Sequence, residues 1–231
     1  MPYFIWNGVN SDTLGIIVEE ETPIIRAEER VTHVIIPGRP GDLTTADGEA
    51  EFAPYLQTVR AYVPMAAAQA IGAARGDGYV TFSTQPDFRQ RARLISQMNF
   101  DYPSKNLGGV IGDILFYCQP LKGLTNEAET TVTFGQTLTN AGDVTEKPLI
   151  TLTGTGGMTV CIDGKTLTIT GITEEQGGAI IDTENMTVTA KLTGEIIGAQ
   201  TVGDFPVIPV GIYPVTFTGA TCKIGRRQRW I

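Results

Sequence analysis

Along most of the chain apolar and polar residues alternate with a period of two, the mark of a strand that buries one face. The opening stretch PYFIWNGVNSDTLGIIVEE predicts a strand, a turn at Asn7-Gly8, and a second strand through Leu14–Glu19. Thr32–Pro37 (THVIIP) is a further β-rich run, and PGRPGDL after it holds two Pro and two Gly in a tight, constrained loop. Gln57–Val63 alternates as a strand and stops at Pro64. There the period changes. Ala66, Ala67, Ala70, Ile71 and Ala74 follow helical spacing, and Gly76-Asp77-Gly78 is expected to end the helix. Strands are expected again at Tyr79–Ser83, Arg91–Tyr102 and Val110–Cys118, the last closed by Gln119-Pro120.

Beyond residue 122 the texture becomes almost purely β. Thr/Val/Ile-rich runs recur at 130–134, 148–154, 158–164, 165–172, 179–184, 186–190 and 215–219, with turn signals every eight to twelve residues. That spacing suggests a β-sandwich or a jelly roll. Asp163-Gly164 is a hairpin turn between two alternating runs, and the strand threonines suit a solvated outer face. The polar, Gly-containing stretch Leu121–Glu127 reads as the linker. The expected fold class is mainly β with one short helix, in two domains. Residues 1–122 form an α+β domain that is β-rich, and residues 123–231 form a β-sandwich.

Composition narrows the function. The 231 residues are 42% hydrophobic, enough for packed cores. With 17 Lys+Arg against 25 Asp+Glu the net charge is −8, so long-range attraction to nucleic acid or anionic lipid is not expected as the main task. No stretch is long and apolar enough for a membrane span, and no targeting segment is visible at the start. Three scattered cysteines, Cys118, Cys161 and Cys222, suit a reducing compartment.

Chemistry is hard to find. The single histidine, His33, has neither a Cys nor a second His near it, and is read as a structural or surface residue. Glu19-Glu20-Glu21, Glu28-Glu29 and Glu174-Glu175 are sequence neighbours, which point to opposite faces of a strand and make poor acid/base pairs. Asp163, Asp182, Glu184 and Asp204 fall in no calcium-loop pattern. Nucleophile elbows and phosphate loops are missing. Lys223, Arg226, Arg227 and Arg229 form a basic patch, read as alternating into water beside a strand docked through Trp230, with nucleic-acid contact as the alternative. Phe134, Phe205, Tyr213, Phe217 and Trp230 are read mostly as core, with a sugar-stacking platform as the alternative. No catalytic residue, cofactor or metal site is expected.

An ordered set of segments resembles the distal tail proteins of siphophages. In the first half these are NGVNSDTLGIIVEE, RAEERVTHVIIPGRPGDL, TVRAYV followed by the helix, GDGYVTFSTQPDFRQRARLISQMNFDY and ILFYCQPLKG. In the second they are NAGDVTEKPLITLTGTGGMTVCIDGKTLTITGI, IIDTENMTV, GDFPVIPVGIYPVTFTG and RRQRWI. One departure is the helix, almost all Ala where relatives carry large apolar residues. The resemblance implies a non-enzymatic virion protein, made in the host cytoplasm. Its N-terminal domain, with a β-hairpin arm, would form a hexameric ring under the tail tube, and its C-terminal domain would be a galectin-like sandwich. Implied partners are copies of itself, the major tail (tube) protein, the tape measure protein, and a tail-tip or tail-associated lysin protein. A receptor-binding protein is a further implied partner, and DNA would pass only in transit. The subunit interface is expected at the stiff loop, through Val34, Ile35, Ile36, Pro37, Arg39 and Asp42. The runner-up function is a carbohydrate-binding module contacting the host cell wall.

Overall fold

A computed structural model describes residues 1–38, 40–41, 43–45, 52–95, 100–101 and 108–231. The chain divides into two compact units, Met1–Thr125 with Ile231, and Asn126–Trp230. It is mostly β, with one short helix.

The first unit contains β1 (Phe4–Trp6), β2 (Val9–Asn10), β3 (Ile17–Val18), β4 (Thr32–Val34), β5 (Leu43–Thr45) and β6 (Tyr55–Pro64). Helix α1 (Met65–Ala73), β7 (Gly76–Phe82), β8 (Phe88–Leu94), β9 (Phe100–Asp101) and β10 (Gly109–Leu124) follow. The main sheet runs β2-β1-β7-β8-β10-β6-β3, with β9 also on β10, and β4 and β5 form a sheet of their own. Although β7 and β8 separate β1 from β10 in that order, the Phe4 and Trp6 rings lie 5.3 and 5.6 Å from Phe116 of β10. The sheet therefore curls until β1 and β10 share one aromatic core, with Phe82 edge-on to Phe116 at 5.8 Å.

Several expectations are corrected here. The Asn7-Gly8 turn forms, both residues at positive φ (48° and 84°), but its partner strand is Val9–Asn10. Leu14 instead ends a short 3₁₀ turn, Ser11–Leu14, capped by Asn10, whose side chain accepts the Asp12 N–H. A local side-chain cap outcompetes the extended form that the apolar run suggests. The helix buries Ala67 and Ile71, while Ala66 and Ala70 stay exposed. Gly76-Asp77-Gly78 already belongs to β7, the helix having ended at Ala74, whose carbonyl accepts the Trp6 indole N–H at 3.0 Å. Nor does Gln119-Pro120 close β10. The register on β8 shifts between Cys118 and Lys122, and Pro120, which has no N–H to give, sits in that irregularity. Of the expected Arg91–Tyr102 strand, Arg91–Leu94 lies in β8 and Phe100–Asp101 is β9; residues 96–99 and 102 are outside the described residues.

The second unit is a sandwich. Its strands are β11 (Glu129–Val132), β12 (Thr137–Asn140), β13 (Leu149–Thr153), β14 (Gly156–Ile162) and β15 (Lys165–Ile172). Next come β16 (Gly178–Asp182), β17 (Thr187–Ala190), β18 (Thr201–Gly203), β19 (Gly211–Thr218) and β20 (Thr221–Gly225), with β21 at Arg229–Trp230. One sheet is β11-β20-β13-β16-β17 and the other β12-β19-β14-β15-β18. Ile150, Leu152, Ile181 and Ile224 of the first meet Met158, Val160, Ile162, Leu167 and Ile169 of the second, all fully buried. Asp163-Gly164 turns as expected, at φ 50° and 74°, and pairs Ile162 with Lys165. Thr159 and Thr218 meet on the outer face, where the Thr159 N–H donates to the Thr218 hydroxyl at 2.8 Å.

Candidate assembly surface

Proline and glycine shape the arm that carries the expected interface. Its root is fixed where the Ala53 N–H donates to the Glu28 carbonyl at 2.7 Å and Glu29 bridges Phe52. Farther out β4 pairs β5 antiparallel, Val34 opposite Leu43. The loop beyond holds Pro37-Gly38 and Pro40-Gly41, both glycines near φ +85°, as the third position of a Pro-Gly type II turn requires. Val34, Ile35 and Ile36 are 43%, 78% and 37% exposed, and Pro37 is exposed as well. Arg39 and Asp42 lie outside the described residues.

Among the described residues the two arm strands pair only with each other. A lone two-stranded ribbon is marginal in water, and an apolar tip makes it less so only when something covers that tip. The segment leading into the arm, by contrast, is pinned. Arg60 pairs with Glu19 at 3.2 Å, the Ser83 hydroxyl donates to Glu21 at 3.1 Å, and the buried Lys122 ammonium donates to the Ile25 carbonyl at 3.1 Å. Next to Lys122, Tyr55 donates to Gln90 and Gln90 to the Gln119 carbonyl, so the polar groups at the irregularity are satisfied. The arm thus leaves a rigid base with an unsatisfied end.

The other residues that sequence singled out do not converge on a reacting centre. His33 is exposed on β4, opposite Thr44. Burial pushes the Cys118 and Cys222 thiols up to about 12, which leaves them unreactive. Asp182 and Glu184 are held by Arg227, Asp182 at 2.7 Å. Hydrogen bonds from Arg227 hold the Asp182 carboxyl down at about 2, against the opposing effect of burial.

The basic patch needs correcting in part: Lys223 alternates into water on β20, but Arg226, Arg227 and Arg229 do not. Arg226 grips Glu146 through Nε and a terminal nitrogen, at 2.8 and 2.6 Å, and the Arg227 N–H adds a third donor at 2.8 Å. Glu146 is completely buried there. Arg229 pairs with Glu127, and Lys223 with Glu129 at 3.5 Å. Sequence could not find these pairs, because Glu146 and Arg226 are 80 residues apart and nothing local links them. Among the aromatics, Phe205, Tyr213 and Phe217 pack on the sandwich core. Phe134 does not: it is 71% exposed, its ring 6.4 Å from that of Phe217.

No protein-family model matches the sequence, and no curated protein matches it either. A solved structure does match. The Dit protein (gp 19.1) of phage SPP1 superposes with a TM-score of 0.76 over 100% of both chains, at 17% sequence identity. The chain has the SPP1 Dit fold. That protein is described as a paradigm of the hub of the adsorption apparatus in phages that infect Gram-positive bacteria. The fold implied by the sequence resemblance is therefore the observed one, reached through a Dit protein that shares about one residue in six.

Proposed function

We propose that this chain is a structural protein of a phage tail, a distal hub that closes into a hexameric ring joining the tail tube to the tail tip or baseplate. The observation that carries this reading is the arm, a self-paired ribbon on a pinned root with Val34, Ile35 and Ile36 in solvent. The ring-forming part is residues 1–122, and residues 123–231 are a galectin-like sandwich. Its partners are copies of itself, the tube protein, the tape measure protein and a tail-tip or tail-associated lysin protein, with a receptor-binding protein on the sandwich. Ring closure needs a patch that docks on a different patch of the next copy, and an arm tip landing on a neighbour is such a contact. Fully covering one isoleucine side chain is worth about 2 kcal/mol, so six tips per ring add up. Negative-stain images and light scattering of the purified chain test the reading. Closed six-membered rings are expected, and a chain that stays monomeric at high concentration overturns it.

A second reading is a saccharide-binding role for the sandwich. Phe134 favours it, as an exposed ring braced by Phe217, with the Thr133 and Gln136 side chains beside it. Calorimetric titration with cell-wall saccharides tests this. Heat that disappears in Phe134→Ala supports it, and no heat with the wild type removes it.

A further inference from the structure

Strand β8 alternates strictly, with Gln90, Ala92 and Leu94 buried and Arg89, Arg91 and Arg93 on the opposite face. Two residues along a strand advance about 7 Å, so three guanidiniums line one stripe roughly 14 Å long. Exposed tyrosines flank it. Tyr79 of β7 lies opposite Arg91, with the Arg89 guanidinium 5.0 Å above its ring, and Tyr117 of β10 lies opposite Arg93. Arg91 and Arg93 are only partly neutralised. Asp77 reaches Arg93 at 3.6 Å with both side chains more than 60% exposed, and Arg91 has no partner among the described residues. A chain of net charge −8 that leaves arginine and tyrosine together in solvent presents the residue types most enriched at binding hot spots.

Free carboxylates lie elsewhere on the same unit. Glu28 and Glu29 at the arm root are exposed, and no side-chain partner holds them among the described residues. They adjoin the arm whose tip is apolar and uncovered. We propose that Arg91 and Arg93 of this stripe receive the Glu28–Glu29 arm root of a second copy of this chain. This rests on the ring reading above and names its two faces. Opposite charges on separate patches allow a heterologous contact that passes from copy to copy in one sense, as a ring requires.

The test is a charge exchange in the full-length chain. One variant carries Arg91→Glu and Arg93→Glu, the other Glu28→Arg and Glu29→Arg; all four side chains are on the surface, and circular dichroism checks the fold. Each variant alone is expected to self-associate at least about tenfold more weakly than wild type by analytical ultracentrifugation, because like charges then face each other. Mixing the two restores assembly, since every stripe again meets an opposite root. Raising the salt from about 0.05 to 0.5 M weakens the wild-type contact, as exposed pairs are screened. If all variants form rings as the wild type does, this pairing fails while the ring reading stands. If the wild type never associates, both fail. A labelled DNA duplex that binds the wild type, but not the Arg91→Glu and Arg93→Glu variant, assigns the stripe to nucleic acid and overturns the proposal.

Discussion

The arm at Thr32–Thr45 and the basic segment at Lys223–Arg229 present opposite solutions to the same problem. In sequence, each is a short stretch with an obvious surplus, apolar in one and cationic in the other. In the folded chain the basic segment spends its surplus internally: Lys223, Arg226, Arg227 and Arg229 each meet a carboxylate of their own unit. Nothing among the described residues covers Ile35. A surface is an interface candidate for what the chain leaves unanswered, not for how unusual its composition looks.

The largest effect is expected from breaking the internal solution. Glu146→Ala leaves Arg226 without its buried acceptor and should cost about 3 to 5 kcal/mol, the usual result of removing one partner of a buried pair. Urea denaturation of the full chain measures it. A loss below about 1 kcal/mol would mean that the Arg226 guanidinium finds water as readily as it finds Glu146.

On the arm the expectation reverses. Ile35→Asp with Ile36→Asp should leave the denaturation midpoint where it is and weaken self-association by about thirtyfold, since two aliphatic contacts of roughly 1 kcal/mol each disappear. Sedimentation with parallel denaturation separates the two effects. An arm that matters only for folding would shift the midpoint and leave association unchanged.

Acid sharpens the contrast further. The Asp182 carboxyl is depressed in the folded chain to about 2 from the ordinary 3.8, so its pairing with Arg227 is fully present above pH 4. That contribution fades as pH falls from about 4 to about 2. Asp182→Asn should remove this acid-sensitive part of the stability curve, which thermal melts between pH 2 and 6 would show. The smallest effect is expected at Lys223→Ala. Its pair with Glu129 spans 3.5 Å with both side chains about half exposed, so the melt should change by less than about 0.5 kcal/mol.

Period-two alternation carried most of the strands, because burial of one face is written residue by residue. Asp163-Gly164 was legible for the same reason, its chemistry being confined to two adjacent residues. Contacts that depend on distant partners were not legible. The Asn7-Gly8 turn could be seen but not its strand, since Asn10 chooses between extending and capping Ser11–Leu14 by what packs behind it. Pro120 looked like a terminator because the bulge that accommodates it is a property of β8 and β10 together. The arm stood out in sequence through its Pro-Gly pairs, whereas the solitude of its two strands could be seen only once every other strand had found a neighbour.

The 80-residue span between Glu146 and Arg226 also sets a clock. At ribosomal speeds of about 5 to 20 residues per second, the arginine emerges roughly 4 to 16 s after the glutamate. Throughout that interval Glu146 has no partner, so its carboxyl stays hydrated or is buried only with a proton on it. Translation itself thereby delays the final closure, and a nascent chain halted before residue 226 has no finished second unit to offer a neighbour.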